Sequence, residues 1–134
     1  TYLISIFIAY DILGLQIAVL SAVTGFLLLE TVNYIEHYGL LRVKTSKNRY
    51  ERVQEKHSWN SNHTLGRIML YELTRHSDHH HRASKKYQIL EHKAQSPQLP
   101  YGYPTSVALA LVSPLWFKVM NKHVPREMVA LAQN

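Results

Sequence analysis

From Ile12 to Leu29 the chain reads ILGLQIAVLSAVTGFLLL, eighteen residues without a charge and with only Gln16, Ser21 and Thr24 as polar interruptions. An uncharged run of this length suits a helix crossing a bilayer, whose apolar interior takes about 20 residues. The competing reading is a helix buried inside a large soluble protein. Asp11 and Gly14 read as turn punctuation, which makes Thr1 to Tyr10 the end of a preceding span and starts the second near Leu15. Continued through Glu30 and Asn33 to His37 or Tyr38, the second helix is about 36 Å long at 1.5 Å per residue, so its last turns emerge into water.

The expected fold is all-α. Membrane helices occupy 1–41, a basic connector 42–61, a histidine-bearing helix 62–92, and a loop with a short interfacial helix 93–134. The chain opens on Thr1 and runs straight into apolar sequence, without the basic flank and cleavage site of a secretory signal. It is therefore expected to be part of a longer protein.

Lys and Arg outnumber Asp and Glu by 15 to 9, a net charge of +6. Arg42, Lys44, Lys47, Arg49, Arg52 and Lys56 follow the span directly, against only Glu51 and Glu55. Basic excess beside a span marks the cytoplasmic side. Nucleic-acid binding is disfavoured, because these residues adjoin a membrane helix and no recognised binding motif accompanies them. There is no cysteine, which removes disulfides, thiolate metal sites and cysteine nucleophiles together. Imidazole and carboxylate remain as the strong metal ligands, and the nine histidines become the informative residues.

In RHSDHHH, His76, His79 and His80 stand at i, i+3 and i+4, so on a helix they share one face and can converge on a metal. His81 points about 100° away from His80. Leu65, Met69 and Leu73 lead into the same stripe, with Asn62 as a candidate cap. His37 ends the membrane helix in NYIEHYGL, and Glu30 and Asn33, seven and four residues earlier, share its face. An acid so near the bilayer is functional by default, and a carboxylate there can orient a ligating imidazole through its second N–H. Alternatively Glu30 meets a snorkelling Lys or Arg.

Ligand type leaves iron, zinc and copper open. HExxH, GxSxG and GxxxxGK[ST] patterns are absent, so zinc hydrolysis, serine acyl transfer and nucleotide hydrolysis find no support. Further on, SPQLPYGYP has the marks of an ordered loop. VALALVSPLWF contains Pro114 and is too short to cross a bilayer, so it reads as an interfacial or protein-buried helix with Trp116 and Lys118 near the headgroups.

In order, NYIEHYGLLR (33–42), HSWNSNH (57–63), RHSDHH (75–80), KYQ (86–88), SPQLPYGYP (96–104) and PLWFKVM (114–120) resemble the bacterial alkane 1-monooxygenases, over about Leu27 to Met120. The resemblance implies a non-haem enzyme with two iron ions in the bacterial cytoplasmic membrane, multi-pass and in contact with lipid, its active site on the cytoplasmic side. Such an enzyme inserts one atom of dioxygen into the terminal carbon of an alkane, with electrons from rubredoxin. It also implies ligand roles for His37, His76, His79 and His80, and two further histidine boxes, of the HExxxHK and EHxxGHH type, upstream of Thr1. Without them this piece is not expected to close a di-iron site.

Thr74 and His81 depart from the family's usual Gln and Ala. Glu30, Asn33, Asp78 and His81 are candidates for the layer behind the ligands, His81 as a spare ligand or proton relay. Val19, Ala22 and Phe26, at helical spacing below His37, are a candidate wall of the alkane channel or else a helix-packing stripe. Arg42 to Lys56 is a candidate dock for acidic rubredoxin. Two alternatives remain. A fatty-acid desaturase or hydroxylase shares HxxHH, though NYIEHYGL and LPYGYP argue against it; the other is a membrane metal-binding protein without catalysis.

Overall fold

The computed structural model describes residues 1–46 and 48–133; Lys47, one of the basic residues of the connector, and Asn134 lie outside the described residues. Among the described residues six α-helices follow one another: α1 (Tyr2–His37), α2 (Thr64–Met69), α3 (His76–His81), α4 (Tyr103–Ala110), α5 (Ser113–Met120) and α6 (Arg126–Ala132). Among the described residues the only β pairings are isolated bridges, Lys44 with Tyr50 and Asn60 with Gln98. The chain divides into two units, 1–32 and 33–134.

The first unit is helical throughout and lacks a packed core of its own. Its apolar window has a mean hydropathy of 2.3, and α1 is long and apolar enough to cross a membrane. Ile8, Leu20 and Phe26 are among many exposed apolar side chains there. In water such a surface is unfavourable by about 25 cal/mol per Å², whereas lipid removes the penalty and the helix satisfies its own backbone. The punctuation expected at Asp11 and Gly14 is present as a break within α1. Asp11 takes φ 58 and ψ -164, a region that non-glycine residues seldom enter, and its Oδ1 accepts the Ile12 N–H at 2.7 Å. A Cβ at Gly14 would collide with Tyr10, so the bend depends on that glycine.

The second unit has a small core of Ile35, Trp59, Leu90, Leu99, Tyr103, Trp116, Met120 and Met128. Its organising feature is the end of α1. Gly39 takes φ 69, and the Leu40 N–H bonds the His37 carbonyl at 3.2 Å. Glu36 and Tyr38 carbonyls, beyond the reach of intrahelical donors, are taken by Trp59, whose backbone N–H reaches Glu36 at 2.8 Å and whose indole reaches Tyr38 at 2.7 Å. The buried segment His57–Ser61 then ties in the rest. Asn60 N–H bonds the Pro97 carbonyl at 2.7 Å, Leu99 N–H bonds the Asn60 carbonyl at 2.9 Å, and Ser61 N–H bonds the Thr74 carbonyl at 2.9 Å.

Where one histidine-bearing helix is expected the chain forms two short helices, α2 and α3, and only α3 contains histidines. Tyr71 (φ 50) and Glu72 (φ 64) break the chain between them, and a bidentate pair of 2.8 Å contacts from Arg67 to Glu72 holds the turn. Asn62 does not cap α2; His63 occupies that position, without a side-chain cap. Leu65, Met69 and Leu73 are exposed.

The last apolar segment also forms two helices. Pro104 and Pro114 sit in the first turns of α4 and α5, where a missing N–H costs nothing, so Pro114 starts a helix. Trp116 was expected near headgroups; it is instead 1% exposed, with ring centroids 5.9 Å from Tyr34 and 5.4 Å from Tyr38. Its large apolar area is better hidden against two tyrosines than shared with solvent. Lys118 is exposed.

Gly39→Ala places a Cβ in a left-handed residue and 2.7 Å from Val124 Cγ2. It should lower stability by about 1–2 kcal/mol from the backbone alone, read as a fall in the thermal midpoint of the detergent-solubilised protein; an unchanged midpoint would contradict this end to α1.

Candidate metal centre

Two short stretches deliver the site. The last turn of α1 presents Glu36 and His37, and α3 presents His76, His79 and His80 one helical turn deep. His37 Nε2 and His76 Nε2 lie 3.4 Å apart, and one donor atom from each of His37, His76 and His80 falls within 4.8 Å of the others. The rings meet edge to face, with centroids 5.2 Å (His37–His76), 5.1 Å (His37–His80) and 4.3 Å (His76–His80) apart. His79 flanks this triad, 6.0 Å from His76 and 5.8 Å from His80 by centroid.

His37 Nδ1 lies 3.2 Å from the His57 carbonyl oxygen. A carbonyl only accepts, so Nδ1 carries the proton and Nε2 turns its lone pair toward the other histidines. Metal-ligating histidines are oriented in this way. Burial, with His80, His37 and His79 crowding it, pushes His76 down to about 3. Burial and then His37 and His79 also lower His80. Both are therefore neutral at neutral pH, the form in which imidazole binds a metal. Neutral imidazoles without sulfur fit iron, zinc or copper.

The carboxylate at the site is Glu36. Its Oε2 is 3.2 Å from His76 Nε2, and its Oε1 accepts the Tyr103 hydroxyl at 2.8 Å. Both residues are buried. Burial, then the neighbouring Glu36, raises the Tyr103 phenol well above its ordinary value, so it stays protonated and donates. Helical spacing pointed to Glu30, which is exposed. Glu36 was missed because a residue adjacent to His37 points about 100° away from it along one helix. His76, arriving from α3, occupies that direction.

The other candidates fall into place separately. Asn33 and His81 are exposed, and His81 borders a surface depression with Arg52, Gln54 and Arg82. Asp78 is 1% exposed and accepts from Lys85 Nζ at 2.7 Å and the Glu91 N–H at 2.8 Å, with Lys93 Nζ 3.5 Å away. Burial works against its charge, but Lys85, the Glu91 amide and Lys93 hold it below the usual carboxylate range. Asp78 thus clamps α3 to the segment 85–93. Val19, Ala22 and Phe26 are exposed along α1. A cavity of about 410 Å³ opens beside the triad, bounded by His37, His57, His80, Leu41, Tyr50 and Val53.

A family model described as fatty acid desaturase matches residues 1–109, which include His37 and the α3 histidines. Alkane 1-monooxygenase 2 of Alcanivorax borkumensis is 57% identical over 98 residues, 73% of this chain and 26% of that protein. Alkane 1-monooxygenase 2 of Pseudomonas aeruginosa is 47% identical over 123 residues, 92% of this chain and 33% of that protein. The xylene/toluene monooxygenase hydroxylase component XylM of Pseudomonas putida is 30% identical over 82% of this chain and 28% of its own length. The chain thus spans about a quarter to a third of these curated relatives.

Tyr103→Phe leaves the buried Glu36 without its donor. The expected loss is roughly 1–3 kcal/mol of stability, measured by thermal or denaturant unfolding. A variant as stable as the parent would show that the hydroxyl does not hold the carboxylate.

Proposed function

The chain belongs to the fatty acid desaturase family, and on that footing we propose that it is part of a membrane non-haem di-iron monooxygenase that hydroxylates the terminal carbon of alkanes with dioxygen. The observation that carries this reading is the convergence of His37, His76 and His80 within 4.8 Å, in a chain that shares 47–57% of matched residues with proteins named for that reaction.

In this proposal His37, His76 and His80 hold one iron, and His79 contributes to a second with histidines supplied from elsewhere in the protein. Iron, when bound, supplies the redox chemistry of oxygen activation. The chain's own residues do the positioning. The His57 carbonyl keeps the His37 Nε2 lone pair turned inward, and the Glu36–Tyr103 pair holds His76. Val19, Ala22 and Phe26 form part of the wall along which the alkane reaches the site. Exposed Arg42, Lys44, Arg49 and Arg52 form a basic landing surface for an acidic electron carrier, rubredoxin, whose approach such charge would accelerate. The same basic excess supports a cytoplasmic position for the site in a multi-pass protein of the bacterial inner membrane.

The test is turnover of a ladder of n-alkanes by the whole protein in vesicles under ¹⁸O₂, with a reduced rubredoxin as donor. One ¹⁸O atom in each 1-alkanol is expected, background product from His80→Ala, and a shorter upper limit of chain length for Ala22→Phe. Retained iron without any oxygenated alkane would instead favour a metal-binding protein, and desaturated acyl chains would favour a desaturase.

A further inference from the structure

We infer that Glu51 and His57 are positioning residues for His37, acting through the backbone carbonyl of His57. The inference rests on the reading of His37 as a metal ligand. His57 is 4% exposed; Nδ1 of its ring is hydrogen-bonded and Nε2 stands at ion-pair distance from a carboxylate. Nδ1 accepts the Gln54 N–H at 3.0 Å, so the proton sits on Nε2, which lies 3.2 Å from Glu51 Oε1. That same oxygen accepts the Val43 N–H at 3.0 Å. Glu51 returns its own N–H to the Val43 carbonyl at 2.9 Å, and Lys56 Nζ stands 3.9 Å from its carboxylate. Glu51 is thus fixed by backbone on one side and faces His57 Nε2 on the other.

The turn Glu55–His57 is closed by His57 N–H on the Gln54 carbonyl at 3.0 Å. His57 is held at its amide and at Nδ1, and its carbonyl oxygen lies 3.2 Å from His37 Nδ1. This contact decides the His37 tautomer. If the carbonyl swings away, the proton is free to move to Nε2, where it would face His76 Nε2 at 3.4 Å and block the lone pair needed by a metal. Neither Glu51 nor the His57 ring needs to touch the metal for this to hold. Their effect is confined to which nitrogen of His37 is a donor and where it points.

The experiment uses the whole protein in lipid nanodiscs, stripped of metal, with two readouts: the His37 tautomer from ¹⁵N-histidine NMR, and affinity for Co²⁺ as the probe. Glu51→Ala should shift His37 away from the pure Nδ1–H form and weaken Co²⁺ binding by about 10- to 100-fold, the usual range for groups behind a metal ligand. Glu51→Gln keeps an oxygen that accepts the Val43 N–H beside His57 Nε2 and should restore both readouts. Glu127→Ala, which removes an exposed carboxylate on α6, controls for the loss of one negative charge and should leave both unchanged.

The inference is overturned if Glu51→Ala keeps the parent tautomer and affinity, if Glu51→Gln is as impaired as Glu51→Ala, or if Glu127→Ala weakens binding equally. Failure of the parent protein itself to bind Co²⁺ would strike the ligand reading of His37, and the tautomer of Glu51→Ala would still decide the positioning role.

Discussion

A long helix ends in carbonyls that no donor of its own can reach, and in this chain the segment His57–Ser61 supplies what the end of α1 lacks. Trp59 gives its backbone N–H to Glu36 and its indole N–H to Tyr38. In the same few residues His57 offers its carbonyl to His37, Ser61 bonds Thr74 two positions ahead of His76, and Asn60 pairs with the proline-rich loop that leads to Tyr103. Every element that bears a side chain of the candidate metal centre is therefore tied to one buried stretch. Loss of that stretch would release α3 and the Tyr103 loop together.

The histidine-bearing helix α3 shows why such ties are needed. α3 has six residues, far below the length at which a helix persists on its own propensity. It is held by Asp78 to Lys85 and the Glu91 amide, and is preceded by the Arg67–Glu72–Arg75 cluster. Burying imidazoles, a carboxylate and a phenol together is unfavourable unless they satisfy one another. Here Tyr103 donates to Glu36, Glu36 meets His76, and His57 fixes His37. The same burial keeps His76 neutral, so packing and ligand chemistry pull in one direction.

Local patterns in the chain were legible and long-range pairings were not. The uncharged run needs only its own length to be read as a helix able to cross a membrane, and the spacing of His76, His79 and His80 needs only one helical turn. The break at Tyr71 and Glu72 was hidden, because it depends on an Arg67–Glu72 ion pair that periodicity does not report. Glu36 and His57 escaped for a different reason. Each acquires its role from a residue brought from far along the chain, Tyr103 and His76 for Glu36, His37 for His57. Trp116 read as an interfacial aromatic on composition, yet Tyr34 and Tyr38 offered it a drier place.

The most direct measurement is iron K-edge X-ray absorption on the whole purified protein and on its His37→Ala variant. The expected result is a nitrogen and oxygen shell with strong multiple scattering from several imidazoles per iron, weakened when His37 is removed. Iron without imidazole scattering, or a shell indifferent to His37, would contradict a centre built from the end of α1 and α3.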